Sequence, residues 1–254
     1  MLTRRRFAAF LAAPLLALAL QACSTIDKPA PSKDVALSGS YVLLTSPEGQ
    51  HRLKTSHHKV DLIPLLTVFD TQERQTLCSV ATGVTILNAL PIKRPVDPKY
   101  APYAFFTQTN YFDAKVNKII TRDKTLVIGQ TLDQAAMVMA AHGAITKVYH
   151  AGQTSMAEFR RIAKANLDHP NDYVAVNYRR NHVGQPPGSH FSPLGAYDDA
   201  TDSFLVLDVA RYKFPPVWIT TPVLYDAMDT FDAVSGKTRG FIVVSAPPAK
   251  ANPK

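Results

Sequence analysis

The chain has 254 residues, 46% of them hydrophobic and 19% charged, a balance that supports one compact domain with a sizeable core and excludes a disordered chain. Its formal charge is +8, but the basic residues are scattered, without a Lys/Arg stripe interleaved with aromatics, which argues against nucleic acid as a partner.

Residues 1–23 read as an export signal rather than as fold: a basic start at Arg4, Arg5 and Arg6, an apolar run from Phe7 to about Leu20, and small residues ahead of Cys23. The apolar run is too short to favour a spanning helix. The pattern matches a bacterial lipobox, in which Cys23 is lipidated and becomes the new N-terminus, so the expected location is the periplasm with a membrane lipid anchor. An ordinary secretory signal with an incidental cysteine is the alternative, and the arginine run fits twin-arginine as well as general export. Loss of the three arginines takes the charge from +8 to +5. Residues 24–36, polar and proline-containing, read as a flexible tether; the folded domain is expected over 37–246, and 247–254 as a disordered tail.

With Cys23 committed to the anchor, Cys78 is the one remaining cysteine of two, so the domain has no internal disulfide. A lone thiol in an oxidising compartment is either a nucleophile or a buried small hydrophobe. The segment after it, SVATGVTILNAL, keeps Val80, Val84, Leu87 and Leu90 near one helical face and predicts a buried helix with the thiol at its start. Thr131 and Gln134 form a capping box ahead of LDQAAMVMAAH, with Gly143 as the stop; Ser155 and Glu158 repeat the box ahead of MAEFRRIAKANL. Four strands follow, DYVAVNYRR, HFSPLGAY, SFLVLDVA and GFIVVS. A short helix from Pro222 to about Thr230 has Thr221 as its cap. Helices first and antiparallel strands second give an α+β class, a helical lobe plus a β lobe with a cleft between them.

The hairpin joining HFSPLGAY to SFLVLDVA carries the chemistry. Pairing Tyr197 with Ser203 puts His190 opposite Ala210 and Asp208 opposite Ser192, so His190 and Asp208 share a face as diagonal neighbours. Asp208 lies among apolar residues and needs a partner, of which His190 is the nearest. A buried carboxylate holding an imidazole is the orienting half of a nucleophilic triad; a structural pair is the alternative reading. Cys78, at a helix start and beside an imidazolium, would have a depressed thiol pKa. The order of cysteine, then histidine roughly a hundred residues on, then an acid is that of papain-like enzymes.

The segments TQERQTLCSVATGVTILNAL, GSHFSPLGAY and LDVARYKFPPVWI closely resemble the catalytic segments of phytochelatin synthases. GQTLDQAAMVMAAHG and the late AM and RGF elements follow that family's pattern in order. The resemblance spans about Phe69 to Val244. It implies a papain-like cysteine-proteinase fold, with Cys78 as nucleophile, His190 as general base, Asp208 as orienting carboxylate and Gln72 as the oxyanion-stabilising amide, and Gln75 as the nearer rival in sequence. Arg211 matches a family arginine and would receive a substrate carboxylate, or else pair structurally with Asp208 or a neighbouring acid. Two positions depart from the family: Ser79 stands where glycine is usual, and Gln75 where proline is usual. The cysteine-rich C-terminal domain of eukaryotic members is expected to be missing, as in the shorter bacterial members.

The implied substrate is glutathione or its metal thiolate, cleaved at the Cys–Gly bond through a γ-glutamylcysteinyl-enzyme, followed by hydrolysis (favoured) or transfer to a second glutathione. No resident cofactor or metal site is expected; cadmium or zinc enters as glutathione thiolates, and a homodimer is left open. A papain-like peptidase acting on other periplasmic peptides and a non-catalytic thiol- or metal-binding lipoprotein are the alternatives. His51, His57 and His58 are irregularly spaced with no cysteine nearby and read as a solvated segment rather than a metal site. Trp218 reads as a packing residue.

Overall fold

The computed structural model describes residues 41–248; the expected signal 1–23 with Cys23, the tether 24–36 and the end of the 247–254 tail lie outside the described residues. The order is β1 (Tyr41–Leu43), α1 (Pro47–Thr55), α2 (Leu62–Thr67), α3 (Cys78–Ala89), α4 (Arg122–Ile128), α5 (Leu132–Ala141), β2 (Ile145–His150) and α6 (Met156–Asn166). There follow β3 (Asp172–Arg179), β4 (Ser189–Asp198), β5 (Ser203–Val206), β6 (Val217–Thr220), α7 (Thr221–Met228), a small hairpin of β7 (Phe231–Asp232) and β8 (Lys237–Thr238), and β9 (Gly240–Ser245). Seven strands form one antiparallel sheet in the order β1-β6-β5-β4-β3-β9-β2.

The class is α+β, but helices and strands are not divided between the two halves of the chain. Successive residues of the strands point to opposite faces of the sheet, and each face has its own core. Tyr173, Ala175, Leu205 and Val244 join α3 and α5 in one cluster; Val174, Val176, Phe204 and Phe241 join α6 and α7 in the other. Early β1 lies at the sheet edge on β6. Only three residues long, it carries too little alternation to be read from sequence.

The caps show where local sequence decides. Thr131 and Gln134 make the expected reciprocal box, and Gly143 follows at φ +98°, a left-handed conformation that glycine adopts without Cβ strain. The second box is half made. Ser155 accepts from the Glu158 backbone N–H, but the Glu158 carboxylate turns outward to Arg161 at 2.7 and 2.8 Å. α7 starts one residue earlier than expected, with Thr220 as N-cap and no side-chain cap bond. Thr221 instead donates to Asp202 at 2.6 Å. Trp218 is fully buried and donates to Gly49 O at 3.0 Å, a packing role.

Candidate active site

α3 is buried along nearly its whole length, from Cys78 to Asn88, so tertiary packing rather than an amphipathic stripe holds it in place. A short 3₁₀ turn over Gln75–Leu77 leads into it, and its N-cap, Leu77, offers no side-chain acceptor. The positive end of the helix is therefore left to the Cys78 sulfur.

His190 and Asp208 come together by a route that differs from the expected register. β4 and β5 pair Tyr197 with Phe204 and Asp198 with Ser203, one step from the expected pairing of Tyr197 with Ser203. A β-bulge between Leu194 and Ala196 absorbs Gly195, and beyond it Leu194 faces Val206, which restores the expected register. Leu207 N–H then bonds Pro193 O at 3.0 Å. The bulge is what puts Asp208 on the face of His190; without the extra residue it would point to the other side of the sheet. Gly195 also fits closely: a Cβ there would stand 3.0 Å from Leu62 and Leu207 side-chain carbons.

Asp208 is 0% exposed. Its Oδ1 accepts from Ala210 N–H at 2.8 Å and Arg180 Nη2 at 3.0 Å, and its Oδ2 accepts from Arg180 Nη1 at 2.8 Å. His190 Nε2 stands 2.9 Å from the same Oδ1, off line for a conventional hydrogen bond, and has no other partner. The contact is best described as a short ion pair that fixes the ring, while Tyr178 meets it edge-on with centroids 5.7 Å apart. With Nε2 beside Asp208, Nδ1 is the ring nitrogen available to the Cys78 thiol, with which His190 interacts.

The electrostatics follow from these contacts. Burial pushes the Cys78 thiol up, but the hydrogen bond and charge of His190, the Phe191 backbone N–H and the Arg180 charge outweigh it and hold the thiol below its ordinary value. Burial opposes the His190 imidazolium, yet Asp208 keeps the ring above its ordinary value. Burial likewise works against the Asp208 carboxylate, and His190 and Arg180 hold it well below the usual carboxylate range. Both shifts favour the thiolate and the imidazolium over the neutral pair.

Arg180 is the residue that sequence reasoning missed. It is 7% exposed, grips Asp208 bidentately, donates to Gln185 and stacks over Phe214 at 4.3 Å. A signal existed: Arg180 lies two residues beyond Tyr178, which pairs with His190, so strand parity aims it at the face on which Asp208 needs a cation. Arg211, by contrast, is exposed and lies over Phe69 at 5.8 Å, with its charge acting on Asp70. It does not line the cleft that contains His190, which is bounded by Gln72, Gln75, Arg180, Tyr212 and Phe214 among others. Gln72 is buried there while Gln75 is exposed; Gln72 N–H bonds Val209 O at 3.0 Å, tying the approach to α3 to the segment that carries Asp208.

These elements match a known family. The phytochelatin synthase family model covers residues 32–241. The chain belongs to the phytochelatin synthase family. Similar proteins include glutathione gamma-glutamylcysteinyltransferase 3 of Lotus japonicus, 30% identical over 71% of this chain and 36% of that protein. Glutathione gamma-glutamylcysteinyltransferase 2 of Arabidopsis thaliana is 31% identical over 72% of this chain and 39% of its own length. The Schizosaccharomyces pombe glutathione gamma-glutamylcysteinyltransferase is 28% identical over 68% and 41%. The chain thus spans well under half the length of these curated relatives.

Beside the cleft of this family member lies a second depression, which shares Ser189 with it and is lined by Gln130, Asn177, Asp232 and Arg239. Arg239 is 5% exposed, donates to Ser189 Oγ at 3.0 Å and lies 3.7 Å from Asp232. Both amide atoms of Gln130 are buried there without a partner. Among the described residues no group of three His, Cys, Asp or Glu side chains is placed to share a metal ion; His58 instead bridges Asp168 and Asp199 at 2.7 and 2.8 Å.

Proposed function

We propose that the chain is a glutathione-cleaving cysteine acyltransferase or hydrolase with a papain-like arrangement, a thiolate at a helix start facing an imidazole on a strand. The observation that carries this reading is His190, held 2.9 Å from Asp208 and bearing on the Cys78 thiol. The Cys78 thiolate attacks the carbonyl carbon between the cysteine and glycine of glutathione, forming the C–S bond as negative charge moves to oxygen. The Gln72 amide and the Cys78 N–H receive that charge. His190 passes its proton to the glycine nitrogen as the C–N bond breaks, and a γ-glutamylcysteinyl thioester remains.

The γ-glutamyl end of glutathione carries an ammonium and a carboxylate. Asp232 and Arg239 offer the complementary charges, and Ser189 joins their depression to the cleft. Water acting on the thioester yields free γ-glutamylcysteine; the amine of a second glutathione yields the two-unit phytochelatin. Hydrolysis dominates, because water needs no binding site of its own. Cadmium or zinc enters as part of a glutathione thiolate substrate.

Mass spectrometry of products from glutathione, with and without cadmium or zinc and with a Cys78→Ala control, tests this. Glycine and γ-glutamylcysteine are expected from the wild type and neither from the control. Mostly two-unit product would overturn the preference for water, and cleavage of α-linked tripeptides in place of glutathione would overturn the substrate.

A further inference from the structure

Gln72 reaches the cleft with its main chain fixed and its side chain less so. Its N–H is bonded to Val209 O at 3.0 Å, but Oε1 is buried without a partner, so that end of the amide does nothing to orient the group. The other end does: Nε2 donates to Tyr212 Oη at 3.0 Å. Gln72 is 4% exposed while Tyr212 is 59% exposed, and both line the cleft that contains His190. A glutamine side chain has three soft torsions, and left unrestrained it costs rotamer entropy whenever it must point at a developing charge.

We propose that Tyr212 is a positioning residue for the oxyanion site: its phenol oxygen accepts one Gln72 amide hydrogen and so aims the second at the carbonyl oxygen under attack. The proposal rests on the reading of Gln72 as oxyanion donor, and it adds a specific anchor from the loop beyond Asp208. An amide nitrogen carries two hydrogens, so the bond to Tyr212 and the bond to the oxyanion coexist. The oxyanion forms only when Cys78 attacks a carbonyl; alkylation of the same sulfur by iodoacetamide forms none. Tyr212 therefore matters for acylation and not for alkylation.

The test is a double-mutant cycle of Tyr212→Phe and Gln72→Ala, read by burst-phase acylation with glutathione and with p-nitrophenyl acetate, and by iodoacetamide alkylation of Cys78. Loss of a complete oxyanion donor costs on the order of 10²–10³-fold. Tyr212→Phe is expected to cost roughly tenfold in acylation rate with KM unchanged, nothing in alkylation, and nothing further once Gln72 is alanine. Equal losses in both backgrounds, equal slowing of alkylation, or faster acylation by Tyr212→Phe would each overturn it, the last by showing that the phenol withholds the amide. A wild-type burst with p-nitrophenyl acetate alone would sink glutathione as substrate and still decide the Tyr212 proposal from the same cycle; no burst with either would overturn both.

Discussion

Asp208, buried behind His190, and Asp61, at the start of α2, are 0% and 1% exposed, yet their surroundings are opposite. Asp208 has a backbone N–H, a bidentate arginine and an imidazole arranged around two oxygens. Neither oxygen of Asp61 has a hydrogen-bond partner, and the nearby charge is another carboxylate, Asp172. Burial, with Asp172 adding to it, pushes Asp61 up to about 9, while Asp208 is held well below its ordinary value. Burial therefore does not make a carboxylate functional; the donors around it decide whether it stays charged at neutral pH.

Removing the charge that the cleft stabilises should have the largest effect. Asp208→Asn keeps the shape and loses the partner that raises His190, so thioester formation is expected to fall on the order of 10³-fold or more, about 4 kcal/mol of barrier. Burst kinetics with glutathione would measure it. A fall of only a few-fold would reduce the His190–Asp208 contact to a structural pair.

The next largest effect breaks the comparison from the cation's side. Arg180→Met leaves Asp208 buried with two of its donors gone, and removing one partner of a buried pair costs ~3 kcal/mol of stability or more. Denaturant titration reads the loss, and it should shrink below pH 4, where the Asp208 carboxyl of the unfolded chain takes up its proton.

The smallest effect has the opposite sign. An unfolded Asp61 ionises near its model-peptide value of about 4, whereas the folded group keeps its proton to about 9. The unfolded chain thus binds fewer protons between those values, and Asp61 makes stability fall as pH rises through that window. Asp61→Asn removes the penalty and is expected to gain ~1–2 kcal/mol at pH 8 and little at pH 4. Equal denaturation midpoints of variant and wild type at pH 8 would show that Asp61 has partners in solution.

Much of this site was legible because its chemistry is carried by rare residue types on strongly patterned segments: one cysteine before an apolar run, a histidine on β4, and an aspartate two residues past the end of β5. The capping box at Thr131 was legible because it is a local bond. What was not legible depends on non-local packing. The bulge at Gly195 leaves no local mark beyond the glycine itself, and the expected register reached the right pairing for Asp208 while missing the hairpin end. Arg180 was hidden because its partner lies 28 residues away, and in sequence Arg211 stands closer to Asp208. β2 escaped notice because no residue between Ile145 and Tyr149 is fully buried, which blurs its alternation.

The most direct measurement follows alkylation of Cys78 by iodoacetamide from pH 4 to pH 10, monitored on the Cys78 peptide by mass spectrometry, in wild type and Asp208→Asn. The His190–Asp208 pair predicts a wild-type midpoint below the roughly 8.5 of a free thiol, moving upward in the variant. A wild-type midpoint at or above that value, unchanged by Asp208→Asn, would contradict the thiolate on which the whole account stands.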